Sequence, residues 1–395
     1  MKVGDYMIKR NTMIILLYSF FNSFLLYRSC DVLYYLSKGI SNSQYINYLT
    51  IGSLITIIFL IPFGIIKDKY NRKIILIISN LFLLVSVLFY IYSNTAFFMG
   101  IGIIMSSISN LLSQGIVVSI LHSFTSDKNE YSKMYYKWSI YYFSGYLISM
   151  VLGGFVAKYS LVLMYYISLI PILINFIILF LFNDNFEKFK DNNSSKLLLK
   201  DSYKLIKNSK LLKILILSEI IIVPLGEILA ESHPEYLSNM GASTILIGIY
   251  TAVMCLFAIV GNKIASIQKN QMNNFFVFSF LYLISLILIG FINNYFSILF
   301  IILFQCFYSV TNNIYNTIIQ NECVEHCRQT VLAIFTFIIS TFQMLICTIT
   351  SLLFKKFEMG TSYIILGTIS IPILLIIFFI YLKKSHKLKK IHLKS

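Results

Sequence analysis

Five charged residues interrupt two stretches that are otherwise almost entirely apolar. Arg28 and Asp31 stand near the end of the first apolar run, and Glu219, Glu227 and Glu231 stand within the seventh. Ionisable side chains in a lipid-spanning segment are costly, and they usually mark a solute pathway, a proton relay or a paired gate. Carboxylates in such surroundings suit two chemistries, which are the carriage of protons and the binding of cations. The alternative is a static ion network that locks helices together.

The composition places these charges inside a membrane protein. The 395-residue chain is 58% hydrophobic and 12% charged, with a mean hydropathy of +0.79. Soluble proteins carry about 25% charged residues, so this balance excludes soluble, disordered, collagen-like and disulfide-stapled classes. The apolar runs do not alternate with polar residues as barrel strands do, so we expect an all-α membrane protein.

No catalytic, cofactor or metal site is predicted. The chain contains no P-loop, zinc-protease or serine-hydrolase motif. Cys323 and Cys327 stand four residues apart in a short polar loop beside Glu322 and His326. This loose spacing is not that of a zinc site, so we expect an ordinary loop there.

Twelve apolar runs are long enough to cross a bilayer, which takes roughly 20 residues. The longest polar interruption, 183–210, predicts a cytoplasmic linker between two six-helix bundles at 1–182 and 211–382, followed by a basic cytoplasmic tail at 383–395. The linker contains KLLLKDSYKLIK, which is either a short amphipathic helix or a plain connection. The predicted spans lie near residues 13–37, 43–66, 74–94, 96–124, 135–157, 161–182, 211–237, 243–267, 275–293, 295–320, 330–354 and 361–382.

The basic residues predict the orientation of the chain. With both termini in the cytoplasm, the inner segments hold 27 of the 32 Lys and Arg residues, as the positive-inside rule requires. The net charge of +16 then faces the anionic inner leaflet of a plasma membrane. We therefore expect the lipid bilayer, and no nucleic acid, as the partner of these basic segments.

The segment between the second and third predicted spans, PFGIIKDKYNRKIIL, places charges and a glycine at fixed spacing. It matches the pattern G-x-x-x-D-[RK]-x-G-R-[RK], with Asn71 replacing the second glycine, and it resembles the loop signature of the major facilitator superfamily. Asn also tolerates a left-handed turn, and the first glycine is expected to let two helices approach. The matching residues are Gly64, Asp68, Lys69, Arg72 and Lys73.

The resemblance implies two six-helix bundles that move a small solute by alternating access. It implies that spans 1, 4, 7 and 10 line a central cavity, and that the loop charges latch the cytoplasmic side. Asp127 and Arg328, at the inner ends of spans 4 and 11, are expected to join this latch. An ordinary positively charged inner loop is the alternative.

Span 5 partly matches an antiporter pattern of the same superfamily. Gly145, Gly153 and Gly154 are present, whereas Ser149 and Met150 replace a glycine and a proline of that pattern. Small residues let membrane helices pack closely, so we expect span 5 to approach a neighbouring helix. The Gly-Gly pair favours export by exchange.

Polar residues in spans 4 and 10 are candidates for lining the cavity. Asn110 and Gln114 lie in span 4, and Asn312 and Asn316 are four apart in span 10. Gln114 and the next glycine resemble the pattern R-x-x-Q-G, but Leu111 holds the Arg position, so no proton-coupling arginine is assigned there. These amides predict a hydrated cavity, with helix–helix contact as the alternative.

The charged residues complete the predicted site. We expect Arg28 to pair with Glu227 or Glu231 across the outer half of the cavity. Glu219 and Glu227 are the candidates for proton coupling or for binding a cationic solute. In span 7 the three glutamates are expected to form one stripe.

The sequence therefore predicts a monomeric, proton-coupled secondary transporter that exports amphipathic or cationic compounds and is not an enzyme. Its expected partners are a small-molecule substrate and protons or another coupling ion. Uptake of a polar metabolite is the alternative within the same class. A membrane-embedded transferase and a transporter-like sensor are the alternatives from other classes.

Overall fold

The computed structural model describes residues 3–93, 95–124, 128–183, 195–267, 271–322 and 328–392, and these residues form helices without any strand. A short 3-10 helix, Leu26–Ser29, separates the first two α-helices. The α-helices are α1 (Val3–Ser23), α2 (Asp31–Ser37), α3 (Asn42–Lys69), α4 (Arg72–Tyr92), α5 (Ala96–Ser113), α6 (Ile116–Ser123), α7 (Lys128–Tyr159), α8 (Leu161–Leu181), α9 (Ser195–Asn208), α10 (Lys210–Asn239), α11 (Thr244–Ser266), α12 (Gln271–Ile292), α13 (Ser297–Glu322), α14 (Arg328–Lys356) and α15 (Met359–His392).

Ten helices within the described residues are long and apolar enough to cross a membrane. They correspond to the predicted spans except the first and the seventh. The seventh span is the continuous helix α10, which carries four glutamates, Glu219, Glu227, Glu231 and Glu235. The fold is that of an all-α, multi-pass membrane protein.

The first predicted span is not one continuous helix. Residues 13–37 are divided by an extended residue, Leu25, and by the 3-10 helix that contains Arg28. Neighbouring helices bond the backbone groups that this break exposes, because the Leu26 N–H donates to Ser168 Oγ at 2.9 Å and Ser149 Oγ donates to the Ser23 carbonyl at 3.5 Å. Asp31 begins α2, so Arg28 and Asp31 lie on two different helices.

The fourth predicted span is also broken, between α5 and α6. Gly115 has a φ of +79°, a left-handed conformation that glycine adopts without strain. The Gln114 backbone N–H still bonds to the Asn110 carbonyl at 2.9 Å, and the helix axis is interrupted only after it. The glycine of the Q-G pair therefore ends a helix.

The backbone contacts divide the chain into two compact units. Unit 1 comprises residues 1–190 together with 237–252, and unit 2 comprises residues 191–236 together with 253–395. The predicted linker contains the division near residue 190, whereas the segment 237–252 falls in unit 1 and not with the rest of the second half. The domain boundaries drawn from the sequence remain a prediction.

Each unit has its own apolar core. In unit 1, buried residues of α1, α4, α6 and α8 pack together, among them Ile15, Ile75, Leu121 and Leu179. In unit 2, α12 packs on α13 and α15, and the Tyr282 and Phe304 rings stack at 4.2 Å. The predicted amphipathic segment of the linker is helical, and as α9 it packs against α14.

Candidate functional site

In unit 2 the candidate site is built on α10, a 30-residue helix of about 45 Å. Glu219 is completely buried, Glu227 is exposed and Glu231 is half-buried. The expectation of a single glutamate stripe is therefore wrong. Eight residues at 3.6 per turn leave two side chains about 80° apart, so Glu219 and Glu227 point in different directions.

The Glu227 carboxylate is held by a neighbouring helix. Gln343 of α14 donates a hydrogen bond from Nε2 to Glu227 Oε2. Gln343 was not predicted as a site residue, although a glutamine in the middle of the apolar run ISTFQMLICT was a usable signal. The pair gives unit 2 an exposed carboxylate with a fixed orientation, which suits contact with a polar or cationic solute.

Glu219 has a different environment. Neither of its carboxylate oxygens has a hydrogen-bond partner among the described residues, and its exposed fraction is 0%. Two tyrosines are its electrostatic neighbours, the buried Tyr282 of α12 and the half-buried Tyr308 of α13. Glu219 is therefore sealed inside unit 2 and does not line an open surface there.

Between Glu219 and Glu227, the helix α10 contains a proline and packs closely against the Tyr308 ring. Pro224 lies inside α10 and has no N–H to donate to the carbonyl four residues before it. Two residues later, a Cβ on Gly226 would come within 2.8 Å of the Tyr308 ring. The absence of a side chain at Gly226 thus lets the Tyr308 ring lie directly on the α10 backbone.

In unit 1 the candidate charges flank the helix break. Arg28 is half-buried among the side chains of Tyr27, Tyr142 and Tyr146. Asp31, at the first position of α2, accepts a hydrogen bond from the Tyr45 hydroxyl at 3.1 Å. The proposed pairing of Arg28 with a glutamate of α10 remains a prediction.

A cluster of tyrosine rings surrounds the break in unit 1, and it was not predicted from the sequence. The Tyr165 ring contacts those of Tyr34 at 4.6 Å and Tyr27 at 4.8 Å, and the Tyr35 ring contacts that of Tyr45 at 5.1 Å. Because most of the rings are buried, the cluster fixes the segment that contains Arg28 and Asp31. Its members are Tyr27, Tyr34, Tyr35, Tyr45, Tyr48, Tyr90 and Tyr165.

The predicted polar residues of α5 and α13 lie on accessible helix surfaces. Asn110, Gln114 and Asn316 are exposed, and Asn312 is half-buried. Asn316 donates from Nδ2 to the side-chain oxygen of Asn312 at 2.9 Å, so the two amides form a pair on one face of α13. Their assignment to a solute cavity remains a prediction.

The basic residues of the loop motif bind the carboxyl ends of helices. Lys67 donates to the Gln114 carbonyl at 3.0 Å, and Lys73 donates to the Phe180 carbonyl at 2.9 Å. Arg72, which is buried, donates to the Ser119 carbonyl at 3.3 Å. These contacts satisfy last-turn carbonyls and place positive charge at the negative ends of α5, α8 and α6.

Other residues of the motif depart from expectation or lie outside the description. Among the described residues no atom lies within 4 Å of a Cβ built on Gly64, so the expected close helix approach at Gly64 is wrong. Asn71 has a φ of −60° and caps α4, so it is not in a left-handed turn. Asp127 lies outside the described residues, and the side chains of Asp68, Lys69 and Arg328 are not described.

The glycines of α7 lie at close helix contacts within unit 1. A Cβ on Gly145 would collide with the Phe20 carbonyl oxygen, and one on Gly153 would collide with the Leu26 carbonyl oxygen. A Cβ on Gly154 would lie 2.6 Å from the Thr244 carbonyl oxygen and 3.0 Å from the Gly248 Cα. These glycines let α7 pack against α1, the 3-10 helix and the start of α11.

Comparison with known proteins identifies the family of this chain. The model of the Major Facilitator Superfamily matches residues 12–346, whereas the search of curated proteins finds no match.

Solved transporters have a similar fold. A variant of the nucleoside transporter NupG superposes with a TM-score of 0.77 at 14% identity, over 93% of this chain and 99% of NupG. A D-xylose-proton symporter superposes with a TM-score of 0.74 at 14% identity, over 94% and 97% of the two chains. A POT family transporter in complex with a thioalcohol-conjugated peptide has a TM-score of 0.73 at 13% identity, over 95% and 96%. With the family model matching most of the chain, this protein belongs to the major facilitator superfamily of membrane transporters.

Proposed function

We propose that the chain is a proton-coupled secondary transporter that exports small amphipathic or cationic compounds by alternating access. The observation that carries the proposal is the Glu227 carboxylate, which stands exposed in the middle of α10 and is oriented by Gln343. A fixed carboxylate on a transport helix attracts a cationic solute and can exchange a proton. We place the protein in the plasma membrane with both termini in the cytoplasm, because the basic residues cluster in the predicted inner segments.

Uptake of a polar solute is a second candidate with its own support. The similar structures include a nucleoside transporter and a D-xylose-proton symporter. The amides of Gln343, Asn312 and Asn316 supply hydrogen-bond donors and acceptors for hydroxyl-rich or heterocyclic solutes. The direction of transport distinguishes the two candidates.

The test uses purified protein in liposomes with a pH-sensitive dye inside and the membrane potential clamped by potassium and valinomycin. Ethidium, uridine, D-xylose and dialanine serve as probes. Proton movement opposite to ethidium supports cation export, and proton movement together with uridine, xylose or dialanine supports uptake. The Glu227→Gln variant should lose most of the response, whereas Glu358→Gln, at an exposed helix end, should keep it.

The proposal is wrong if no probe crosses the membrane faster than in protein-free liposomes, or if Glu227→Gln transports as well as the wild-type protein. Transport that follows a sodium gradient and ignores a proton gradient would contradict proton coupling alone. A lipid-linked substrate that is chemically converted would point to a transferase.

A further inference from the structure

Glu219 is a carboxyl group that the surrounding protein does not neutralise. It has no exposed surface, and neither oxygen accepts a hydrogen bond from any described residue. A buried charge without a counter-charge or hydrogen bonds is strongly unfavourable, and such a group holds a proton and stays neutral instead. In this conformation Glu219 is therefore a neutral acid.

Two tyrosines from neighbouring helices lie near Glu219. Tyr282 of α12 donates its hydroxyl to the Ile222 carbonyl at 2.8 Å. The Tyr308 ring of α13 lies on Gly226, and the Tyr282 and Tyr308 rings stack at 5.8 Å. Glu219, Ile222 and Gly226 are spaced by three and four residues, so they share one face of α10, and the two rings cover that face.

Tyr308 lies near two different carboxyl groups. Glu227 and Glu219 are both electrostatic neighbours of Tyr308, and both are neighbours of Tyr282. Glu227 is exposed and bonded to Gln343, whereas Glu219 is enclosed and without a hydrogen-bond partner among the described residues. One helix thus presents one acid to the surface and keeps another behind a pair of rings.

We propose that the two acids divide the work of transport, so that Glu219 carries the coupled proton and Glu227 contacts the solute. This inference rests on the proposed function. Closure of the rings over Glu219 is compatible only with the protonated acid, because the carboxylate is too costly to enclose. When the rings separate from α10, water reaches Glu219, its O–H proton passes to water, and the carboxylate remains until a proton returns.

Such a group makes a conformational change depend on a proton. The enclosed state forms when Glu219 is protonated, and the hydrated state releases the proton, so each cycle moves a proton with the solute exchange. Gly226 contributes to this proton-dependent change, because a side chain there would hold the Tyr308 ring away from α10. Among the residues that the structure describes, the titratable groups near Glu219 are Tyr282 and Tyr308, and Glu227 lies eight residues along the same helix.

The experiment compares Glu219→Gln with Glu227→Gln in liposomes with the potential clamped, using ethidium, or uridine if the wild-type protein transports uridine. Counterflow is measured at equal pH on both sides, and accumulation is measured with a pH gradient. A gradient of one unit sustains at most about tenfold accumulation per proton. Glutamine mimics the neutral acid, so Glu219→Gln should keep counterflow within about twofold of the wild type while accumulation falls to equality.

Two further variants test whether Glu219 and Glu227 have these different roles. Glu227→Gln should lose counterflow and accumulation together, because solute binding itself is weakened. Gly226→Ala should slow both assays less than Glu227→Gln does and should shift the pH dependence of accumulation. Counterflow by Glu219→Gln also shows that this variant is folded.

Three results would overturn the inference. The first is normal accumulation by Glu219→Gln. The second is loss of counterflow by Glu219→Gln in protein whose gel-filtration profile and melting temperature equal those of the wild type. The third is accumulation that a sodium gradient drives and that Glu219→Gln abolishes. If the wild-type protein transports none of the probes, the proposed function has failed, and that outcome differs from each of these three.

Discussion

The two units support their membrane charges in different ways. Unit 1 breaks two of its predicted spans, at the 3-10 helix Leu26–Ser29 and at Gly115, and it places Asp31 at the start of a new helix. Unit 2 keeps α10 and α13 continuous and carries its acids in the middle of α10. In unit 1 the backbone therefore helps to stabilise the charge, because a helix amino end favours an acid.

In the described part of unit 2 no helix end stabilises the acids, and only side chains can do so. Glu227 depends on Gln343, and Glu219 has neither a helix end nor a hydrogen-bond partner among the described residues. An acid that lacks backbone support responds more strongly to hydration and to movement of its neighbours. This difference is the reason for assigning the coupled proton to unit 2 and a fixed electrostatic role to unit 1.

The largest expected effect concerns the packing that holds the break in unit 1. In Gly153→Val the new side chain must displace the 3-10 helix, because even a Cβ collides with the Leu26 carbonyl. We expect destabilisation of about 3 kcal/mol, measured as a lower melting temperature in detergent together with loss of transport. Gly64→Ala is the control for the melting temperature, since no described atom lies within 4 Å of a Cβ there. Equal melting temperatures for the two variants would show that the break does not depend on α7.

The next effect tests the side-chain support in unit 2. Gln343→Leu removes the hydrogen bond to Glu227 without changing the carboxylate. A hydrogen bond to a charged group is worth about 1.5 kcal/mol or more, so we expect roughly tenfold weaker binding of a transported cation. The measurement is the KM for ethidium counterflow, with Gln44→Leu on α3 of unit 1 as a matched amide control. An unchanged KM would remove Gln343 from the site.

The break at the end of α5 gives a smaller effect. Gly115→Ala places a side chain in the left-handed conformation, which costs about 1 kcal/mol. Gly100→Ala, in the middle of the same helix, should be neutral or slightly stabilising, because its Cβ would meet only the Tyr48 ring at 3.9 Å. Thermal unfolding of both variants is the measurement. If Gly115→Ala is as stable as Gly100→Ala, the broken helix is not a fixed feature of unit 1.

The smallest effect sharpens the contrast between the units. Tyr45→Phe removes the hydroxyl that donates to Asp31, but the start of α2 still favours the acid. We expect transport to fall about fivefold or less, because the start of α2 keeps stabilising Asp31 and the lost hydrogen bond then costs no more than about 1 kcal/mol. Tyr48→Phe, whose hydroxyl bonds to the Ala96 carbonyl instead, is the control. A larger loss in Tyr45→Phe than in Gln343→Leu would reverse the assignment of backbone and side-chain support.

Part of the site was readable in the sequence and part was not. Glu219 and Glu227 are conspicuous because acids are rare in apolar runs, and the loop from Gly64 to Lys73 carried the family resemblance. Their orientations do not follow from a shared stripe, because eight residues at 3.6 per turn leave the two side chains about 80° apart. The contact of Gln343 with Glu227 joins residues that are 116 positions apart, so no local sequence pattern predicts it.

From the amino-acid sequence alone it follows that this protein is helical, crosses a membrane many times and belongs to its superfamily. Those properties follow from local quantities, which are the length of each apolar run, the sparsity of charge and the spacing within one loop. The structure adds that two predicted spans break, that seven tyrosine rings cluster around the first break, and that Glu219 is buried while Glu227 is exposed. Such outcomes depend on which helix faces which, and packing between distant segments sets that choice after every local preference has been satisfied.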